Sequence, residues 1–314
     1  MSSFKLAVIG AGYIAEKHLE VINKINSLNV VSITSRTYSK SFKIAKKYKI
    51  KNIFKNIESL IKFDKPDAIL ILVSSENIYE VTKKVIPYKI PFFVEKPPGL
   101  DLIHLKKLCL LAKKNKVINM VGYNRRFYSN FHEGIKIIKR YGKLLAIKIE
   151  GHERFWKIEK IINKKNKNSW IYSNSSHVID LFTFFSGKIK NIYSISSSYS
   201  GKRNDNFSTI IKFENGTLGT FISNWYSPGG WSVCLYGEKV TVVFKPLEKG
   251  VWIDQNFKKH NIKLDSKDIR YKAGFYNQMI AFKKLLKNKK IIWPIQDLNS
   301  SMNTYSLIKK IKND

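Results

Sequence analysis

Apolar and amphipathic segments alternate along residues 4–121 of the chain. Short apolar runs bounded by turn residues predict buried strands, and apolar positions that recur every three or four residues predict helices. The predicted strands are 4–9, 29–34, a short segment near Ile53, 67–73, the run before Glu95, and 117–121; the predicted helices follow Gly12 or span 39–48, 57–62, 77–86 and 100–115. This alternation predicts an α/β domain with a doubly wound parallel sheet, ending close to Gly122.

The pattern changes after Arg126, where strands follow one another across tight turns. The predicted elements are a helix at 127–141, a strand at 143–150, a helix at 175–185, strands at 189–197, 207–214, 217–224, 231–236, 240–244 and 251–253, and helices at 274–287 and 297–311. They predict a second α/β domain, 123–314, with a large, mainly antiparallel open sheet; it remains open whether the last helices pack back on domain 1–122. The polar run Lys157–Ser169 predicts a mobile loop near the site, or equally a solvated insertion without function.

A glycine turn joins the first strand to the first helix. Gly10, Gly12 and Ala15 fit G-x-G-x-x-A, in which the first glycine permits the turn, the second admits a pyrophosphate, and the small third residue lets helix and strand pack closely. Tyr13 and Ile14 open the helix, whose free N–H groups would face the phosphates. The turn predicts dinucleotide binding; the alternative is an ordinary tight turn that contains glycines.

The second strand ends without the acidic residue that binds the adenosine ribose of NAD. Ser35, Arg36 and Thr37 follow it instead, and their hydroxyls and guanidinium suit a 2′-phosphate. NADP is therefore favoured over NAD, unless Arg36 is one more solvated cation of a basic chain. Ser74 follows the 67–73 strand and is predicted to line the same cofactor site.

Composition indicates which kinds of ligand or partner the protein is expected to bind. The formal net charge is +34, but the lysines are spread over every predicted helix, which favours an anionic small-molecule ligand over nucleic acid. We expect a cytoplasmic protein without a membrane partner, because the apolar runs are short and the N-terminal segment does not resemble a signal peptide. Cys109 and Cys234 have neither a disulfide framework nor metal-ligand spacing, so no metal is expected.

Three motifs carry a family resemblance: GAGYIA at the amino terminus, VEKPPG after the fifth strand, and GYNRRF at 122–127. With the antiparallel second half, they resemble the Gfo/Idh/MocA oxidoreductases. The resemblance implies a Rossmann domain and a second domain whose open sheet forms a homodimer or homotetramer interface. It also implies hydride transfer between NAD(P) and a carbon of a sugar, nucleotide sugar or cyclitol, and the basic residues predicted in the crevice favour an anionic substrate.

The resemblance also implies roles for individual residues. Lys96 matches the lysine of the E-K-P motif, which would stabilise charge on the reacting oxygen and also contact the cofactor, while Glu95 would lie beside the nicotinamide ribose. His177 matches the histidine of a D-x-x-x-H motif and would transfer the hydroxyl proton. Ser173 stands where that motif has aspartate; it can bind substrate, but it cannot stabilise an imidazolium by charge.

The remaining candidates border the predicted crevice. Asp180 either orients the His177 ring or makes a structural pair. Asn124 is predicted to contact the cofactor. The candidates for substrate binding are Tyr123, Arg125, Arg154, Trp170, Ser173 and Asn174, with Ser176 a further possibility.

Two other functions remain compatible with the sequence. A nicotinamide-dependent sensor could keep this fold without turnover, and the loss of aspartate at position 173 is the change such drift would produce. Redox-assisted elimination, in which the hydride leaves and returns, would use the same residues.

Overall fold

The computed structural model describes residues 3–313 of the 314-residue chain. They form two compact units: the first contains the chain up to Asn124 together with Arg270–Met302, and the second contains Arg125–Ile269 together with the chain from Asn303. Within the described residues, the sheet of the first unit has six strands and that of the second has eight.

The strands and helices follow in chain order. The strands are β1 Phe4–Ile9, β2 Leu28–Thr34, β3 Asn52–Phe54, β4 Ala68–Ile71, β5 Phe92–Glu95, β6 Asn119–Gly122, β7 Leu144–Gly151, β8 Ile189–Ser197, β9 Asn206–Phe213, β10 Leu218–Asn224, β11 Trp231–Gly237, β12 Val240–Phe244, β13 Gly250–Ile253 and β14 Lys259–Ile262. The helices are α1 Tyr13–Ile22, α2 Tyr38–Tyr48, α3 Ile57–Asp64, α4 Ser75–Val85, α5 Leu102–Lys114, α6 Ser129–Tyr141, α7 Phe155–Ile158, α8 Lys164–Asn168, α9 Ser176–Ser186, α10 Ser266–Arg270, α11 Phe275–Asn288 and α12 Leu298–Lys312.

The first sheet is parallel throughout, in the order β3-β2-β1-β4-β5-β6. Strands β4 and β5 are buried along their whole length, which is why their sequences are continuous apolar runs rather than alternating ones. The predicted doubly wound parallel sheet is confirmed. Strand order reverses between β1 and β4, so a crevice opens at the carboxyl ends of these strands.

The second sheet has the order β14-β13-β12-β11-β7-β10-β9-β8. Strand β7 runs parallel to β10 and antiparallel to β11, and the other neighbouring strands are antiparallel, which confirms the predicted mainly antiparallel sheet. Alternate residues of β9 are buried, whereas the opposite face of β8–β10 exposes apolar side chains, namely Tyr193, Ile195, Ile210 and Leu218. Assembly through this face stays a prediction.

The prediction of a loop over Lys157–Ser169 is wrong for its two ends, because α7 extends to Ile158 and α8 spans Lys164–Asn168, while residues 159–163 between them form turns. Phe155 anchors α7 by complete burial, and the Asn163 side chain caps α8 by accepting the Asn166 N–H. Strand β14 and helix α10 were not predicted. Both are short and polar, so they lack the apolar period that reveals an element.

Two absences hold for residues 3–313. No helix among them has the length and apolarity needed to cross a bilayer. No group of three or more His, Cys, Asp or Glu side chains in this part of the chain is arranged to hold a metal ion.

Candidate functional site

A cleft of about 430 Å³ lies in the first unit at the carboxyl ends of β1, β2 and β4. It is therefore at the reversal of strand order, where open α/β sheets bind ligands. Six of the predicted cofactor residues line it: Gly10, Gly12, Ser35, Arg36, Thr37 and Ser74. The same cleft is lined by cations that sequence reasoning missed, Lys40, Lys55 and Lys84, and by the carboxylate of Glu58.

The glycine turn has the steric features that a dinucleotide needs. Gly10 has φ +119°, and a Cβ there would collide with the Leu72 carbonyl, so the turn requires glycine. Beside Gly12 there is open space, which leaves room for a pyrophosphate next to the backbone. Gly12 is also the N-cap of α1 and offers no side chain to the first N–H groups of that helix. The turn therefore fits a dinucleotide phosphate.

The side of this cleft formed after β2 and β3 carries three cations and the Glu58 carboxylate. Arg36 and Lys40 come from the segment after β2, and Lys55 from the segment after β3. Ser35 Oγ is held within the segment, 2.7 Å from Ser41 Oγ and 2.9 Å from the Thr37 carbonyl oxygen. Arg36, Lys40 and Lys55 are thus the positively charged groups on this side of the cleft that could bind an anion.

The E-K-P motif follows β5 on the same edge of the first sheet. Glu95 is buried, and its Oε1 lies 2.7 Å from Nε2 of His18, a fully buried residue of α1. Its Oε2 accepts the Lys96 N–H at 3.1 Å. The His18 ring packs between Phe93 and Phe275, at centroid distances of 5.1 and 4.6 Å. His18, which sequence reasoning missed, therefore joins α1 to the segment that carries Lys96.

Replacing His18 tests this link. In His18→Leu, Glu95 keeps its burial but loses its partner, so we expect the free energy of unfolding to fall by about 1–3 kcal/mol. His18→Gln keeps a donor of similar reach and should lose less. Urea unfolding of both variants measures the difference; equal losses would show that packing, rather than the hydrogen bond, is what His18 contributes.

A second cleft, of about 340 Å³, lies in the second unit where β7 ends and β11 begins. Backbone hydrogen bonds shape its wall, since the His152 N–H bonds the Gly230 carbonyl and the Glu153 N–H bonds the Asn224 carbonyl. The lining contains three predicted substrate residues, Arg125, Arg154 and Asn174, and polar or aromatic residues that were not predicted, His152, Glu153, Trp231 and Glu248. The guanidinium of Arg125 stacks 4.5 Å from the Trp231 ring centroid.

Glu153 is the buried carboxyl of this cleft. Only 5% of the residue is exposed, and its oxygens accept hydrogen bonds from Asn174 Nδ2 at 3.0 and 2.9 Å and from Ser175 Oγ at 3.0 Å. Burial raises the pKa of Glu153 to about 7, although the hydrogen bonds from Ser175 and Asn174 oppose that rise. A carboxyl that titrates near neutrality in a cleft can exchange protons at physiological pH.

His177 lies in the first turn of α9, after a π-helical turn at Ile171–Ser175. Its ring is 6.1 Å from that of Trp231, a lining residue of the second cleft. Asp180 instead makes a structural pair with Arg126, with Nε to Oδ2 at 2.6 Å and Nη2 to Oδ1 at 2.9 Å. Ser173 Oγ lies 3.4 Å from the Trp170 carbonyl of its own turn.

Comparison with known proteins settles the family. Residues 4–123 match the oxidoreductase family with an NAD-binding Rossmann fold, and residues 139–243 match the GFO/IDH/MocA C-terminal domain. The chain belongs to the GFO/IDH/MocA family of oxidoreductases.

Relatives within this family are distant in sequence. The 4-carboxy-2-hydroxymuconate-6-semialdehyde dehydrogenase of Sphingobium is 23% identical over 78% of this chain and 83% of its own length. The myo-inositol 2-dehydrogenase of Thermotoga maritima is 28% identical over 40% of this chain and 38% of its own length. The crystal structure of a dehydrogenase from Chromobacterium violaceum superposes with a TM-score of 0.85 at 16% identity, covering 99% of this chain and 94% of that one.

Several residues predicted for the site of this GFO/IDH/MocA protein lie outside the two cleft linings. Tyr13 is exposed beside Lys17 and Lys272, and Tyr123 is 1% exposed. The Asn124 amide donates to the Ala273 carbonyl at 3.0 Å, and Trp170 packs against Phe155. The others outside both linings are Ile14, Glu95, Lys96, Ser173 and His177.

Proposed function

We propose that this protein transfers a hydride between NAD(P) and a CH–OH carbon of a sugar-like compound. The proposal is supported by the positions of the glycine turn and Lys96 in the first sheet. The turn follows β1 and Lys96 follows β5, so both lie at the carboxyl ends of parallel strands that are separated by β4 alone. When bound, the nicotinamide supplies the two-electron hydride chemistry.

We assign Lys96 and His177 different roles in this reaction. The Lys96 ammonium donates a hydrogen bond to the reacting oxygen and stabilises the negative charge that develops there. His177 takes the proton of the hydroxyl during oxidation and returns it during reduction. Ser173, whose Oγ lies 3.4 Å from the Trp170 carbonyl oxygen, offers no charge to the imidazolium that this proton transfer forms.

The second cleft and the relatives support an anionic, polyhydroxylated substrate. One relative is named for an inositol and another for a carboxylated semialdehyde, so polyhydroxylated and anionic compounds are both represented. Arg125 and Arg154 give the cleft two guanidinium groups, which suit an anionic member of this class.

Hydride transfer is tested with purified protein, NADP or NAD, and a panel of sugars, sugar acids, sugar phosphates and cyclitols. Turnover appears as a change in nicotinamide absorbance. Tight cofactor binding without turnover on the panel would instead favour a sensor.

NADP is the favoured cofactor because Arg36, Lys40 and Lys55 outnumber the Glu58 carboxylate on the side of the cleft after β2 and β3, where the adenosine would bind, and no carboxylate ends β2. In Arg36→Ala, we expect the dissociation constant of NADP to rise by about 10- to 100-fold, since a charge-assisted hydrogen bond to phosphate is lost, whereas that of NAD should change little.

The control for Arg36→Ala is Lys51→Ala, which removes an exposed cation outside the lining of this cleft. Titration of both cofactors into each variant gives the ratio of the two dissociation constants. An unchanged ratio in Arg36→Ala would contradict the 2′-phosphate assignment.

A further inference from the structure

The polar surroundings of Glu153 differ from those of a structural carboxylate. Its hydrogen-bond donors are the neutral side chains of Asn174 and Ser175. Among residues 3–313, no lysine, arginine or histidine forms an ion pair with it within 4.0 Å. The carboxyl shares the cleft lining with the guanidinium groups of Arg125 and Arg154, and the charge of Arg125 opposes the rise in the pKa of Glu153.

The charged and titratable groups around this cleft come from every wall. They are Arg125 from the turn before α6, His152 and Arg154 beside the end of β7, His177 on α9, and Glu248 between β12 and β13. Burial lowers the pKa of His152, whose Nδ1 accepts the Asn224 N–H, so this ring is neutral near pH 7. Glu248 accepts the Tyr128 hydroxyl at 3.0 Å, so part of its accepting capacity is already used.

We propose that Glu153 binds the ligand of the second cleft by accepting a hydrogen bond from a ligand hydroxyl, while Arg125 and Arg154 bind an anionic group of the same molecule. The ligand class is then a polyhydroxylated anion: a sugar acid, or a sugar phosphate with the same charge and hydroxyls. This inference rests on the proposed function, because it takes this cleft to be the substrate site.

The ionisation of Glu153 predicts how ligand affinity changes with pH. The ionised carboxyl is an acceptor only, and a charged acceptor binds a hydroxyl more strongly than a neutral one. Ligand affinity should therefore rise with pH through about 7, where Glu153 ionises. Replacement by glutamine should leave the affinity for D-gluconate flat over this range, since the carboxyl of that ligand stays ionised throughout.

Glu153→Gln should fold. Because its folded pKa is raised, Glu153 favours the folded state most when protonated, and that contribution is lost as the pH rises through about 7. The glutamine amide has no charge to bury, and its carbonyl oxygen can still accept from Asn174 or Ser175. Glu159→Gln is the matched control, since Glu159 belongs to the same segment but does not line the cleft.

The experiment measures binding without nicotinamide, so it does not depend on turnover. Protein carrying ¹³C-labelled glutamate carboxyls is titrated with four probes, and the Glu153 resonance is assigned by its loss in Glu153→Gln. D-gluconate and a hexose phosphate carry charge and hydroxyls, D-sorbitol carries hydroxyls alone, and hexanoate carries charge alone.

We expect D-gluconate or the hexose phosphate to shift the Glu153 resonance, and both single-feature probes to bind at least about tenfold more weakly. Glu153→Gln should weaken binding of the anionic polyol by about tenfold, and Glu159→Gln should leave it unchanged. If no anionic polyol moves the Glu153 resonance, or if Glu153→Gln binds as tightly as the wild type, the proposal is overturned.

Ser175→Ala separates ligand binding from support of the 171–175 turn. Because the Ser175 hydroxyl lowers the pKa of Glu153, its removal should move the midpoint of D-gluconate affinity to higher pH while leaving the affinity at high pH largely intact. An unmoved midpoint would mean that Glu153 only anchors the turn. Loss of turnover in Lys96→Met together with a negative Glu153 result would reject this inference and keep the proposed function.

Discussion

Lys96→Met is expected to lower kcat by about 10²- to 10³-fold, as removal of one preorganised donor at a developing oxyanion does. Methionine keeps most of the unbranched apolar stem, so the half-buried position after β5 remains filled while the ammonium is lost. Cofactor affinity should change less than kcat, because the glycine turn after β1 is untouched. The measurements are steady-state turnover at saturating substrate and a cofactor titration of the same preparation.

The control is Lys106→Met, which removes an exposed ammonium from α5 of the same unit. It should retain wild-type kcat. Lys96→Arg provides a second comparison, because guanidinium keeps the charge but not the compact geometry of ammonium, and we expect it to recover only part of the lost rate. Full turnover in Lys96→Met would remove Lys96 from the mechanism.

The largest stability effect is expected from the Arg126–Asp180 pair. Both residues are at least 95% buried, and Thr304 Oγ1 donates to Asp180 Oδ1 at 2.7 Å, while Arg126 Nη2 donates to Thr183 Oγ1 at the same distance. Arg126→Met leaves the Asp180 carboxylate buried without its cation. We expect the free energy of unfolding to fall by about 3–5 kcal/mol.

Two comparisons test the assignment of that loss to an unpaired buried charge. Lys136→Met removes a cation from an exposed pair with Glu133 and should cost about 0.5 kcal/mol or less. Arg126→Met combined with Asp180→Leu removes both charges and should be more stable than Arg126→Met alone. Urea unfolding of the three proteins decides; a double variant no more stable than Arg126→Met would mean that packing dominates.

The sequence predicted the first sheet well because its strands are buried on both faces and therefore appear as apolar runs, as in β4 and β5. The glycine turn was equally readable, because the φ of Gly10 and the open space beside Gly12 depend on residue type. Polar elements such as α8 were not predicted, because they are stabilised by a cap and by single contacts rather than by an apolar stripe.

Site residues that belong to a motif could be predicted from the sequence. Those whose surroundings are created only by tertiary packing could not. Lys96 and His177 were found by resemblance, and their roles stay predictions. Glu153 is one polar residue in a polar stretch after β7, and only its burial and its bonds to Asn174 and Ser175 distinguish it. His18 was hidden for the same reason, since its partner Glu95 is far away along the chain.

The first unit is discontinuous, and this bears on how the protein is made on the ribosome. All six strands of its sheet emerge early, but Phe275, which packs on His18, and Gln296, whose carbonyl accepts the Val121 N–H at 2.7 Å, emerge only after the whole of Arg125–Ile269. We therefore expect a nascent chain stalled before α11 to hold an incomplete nucleotide domain that is sensitive to proteases. A fragment cut at Asn124 would carry the same defect permanently.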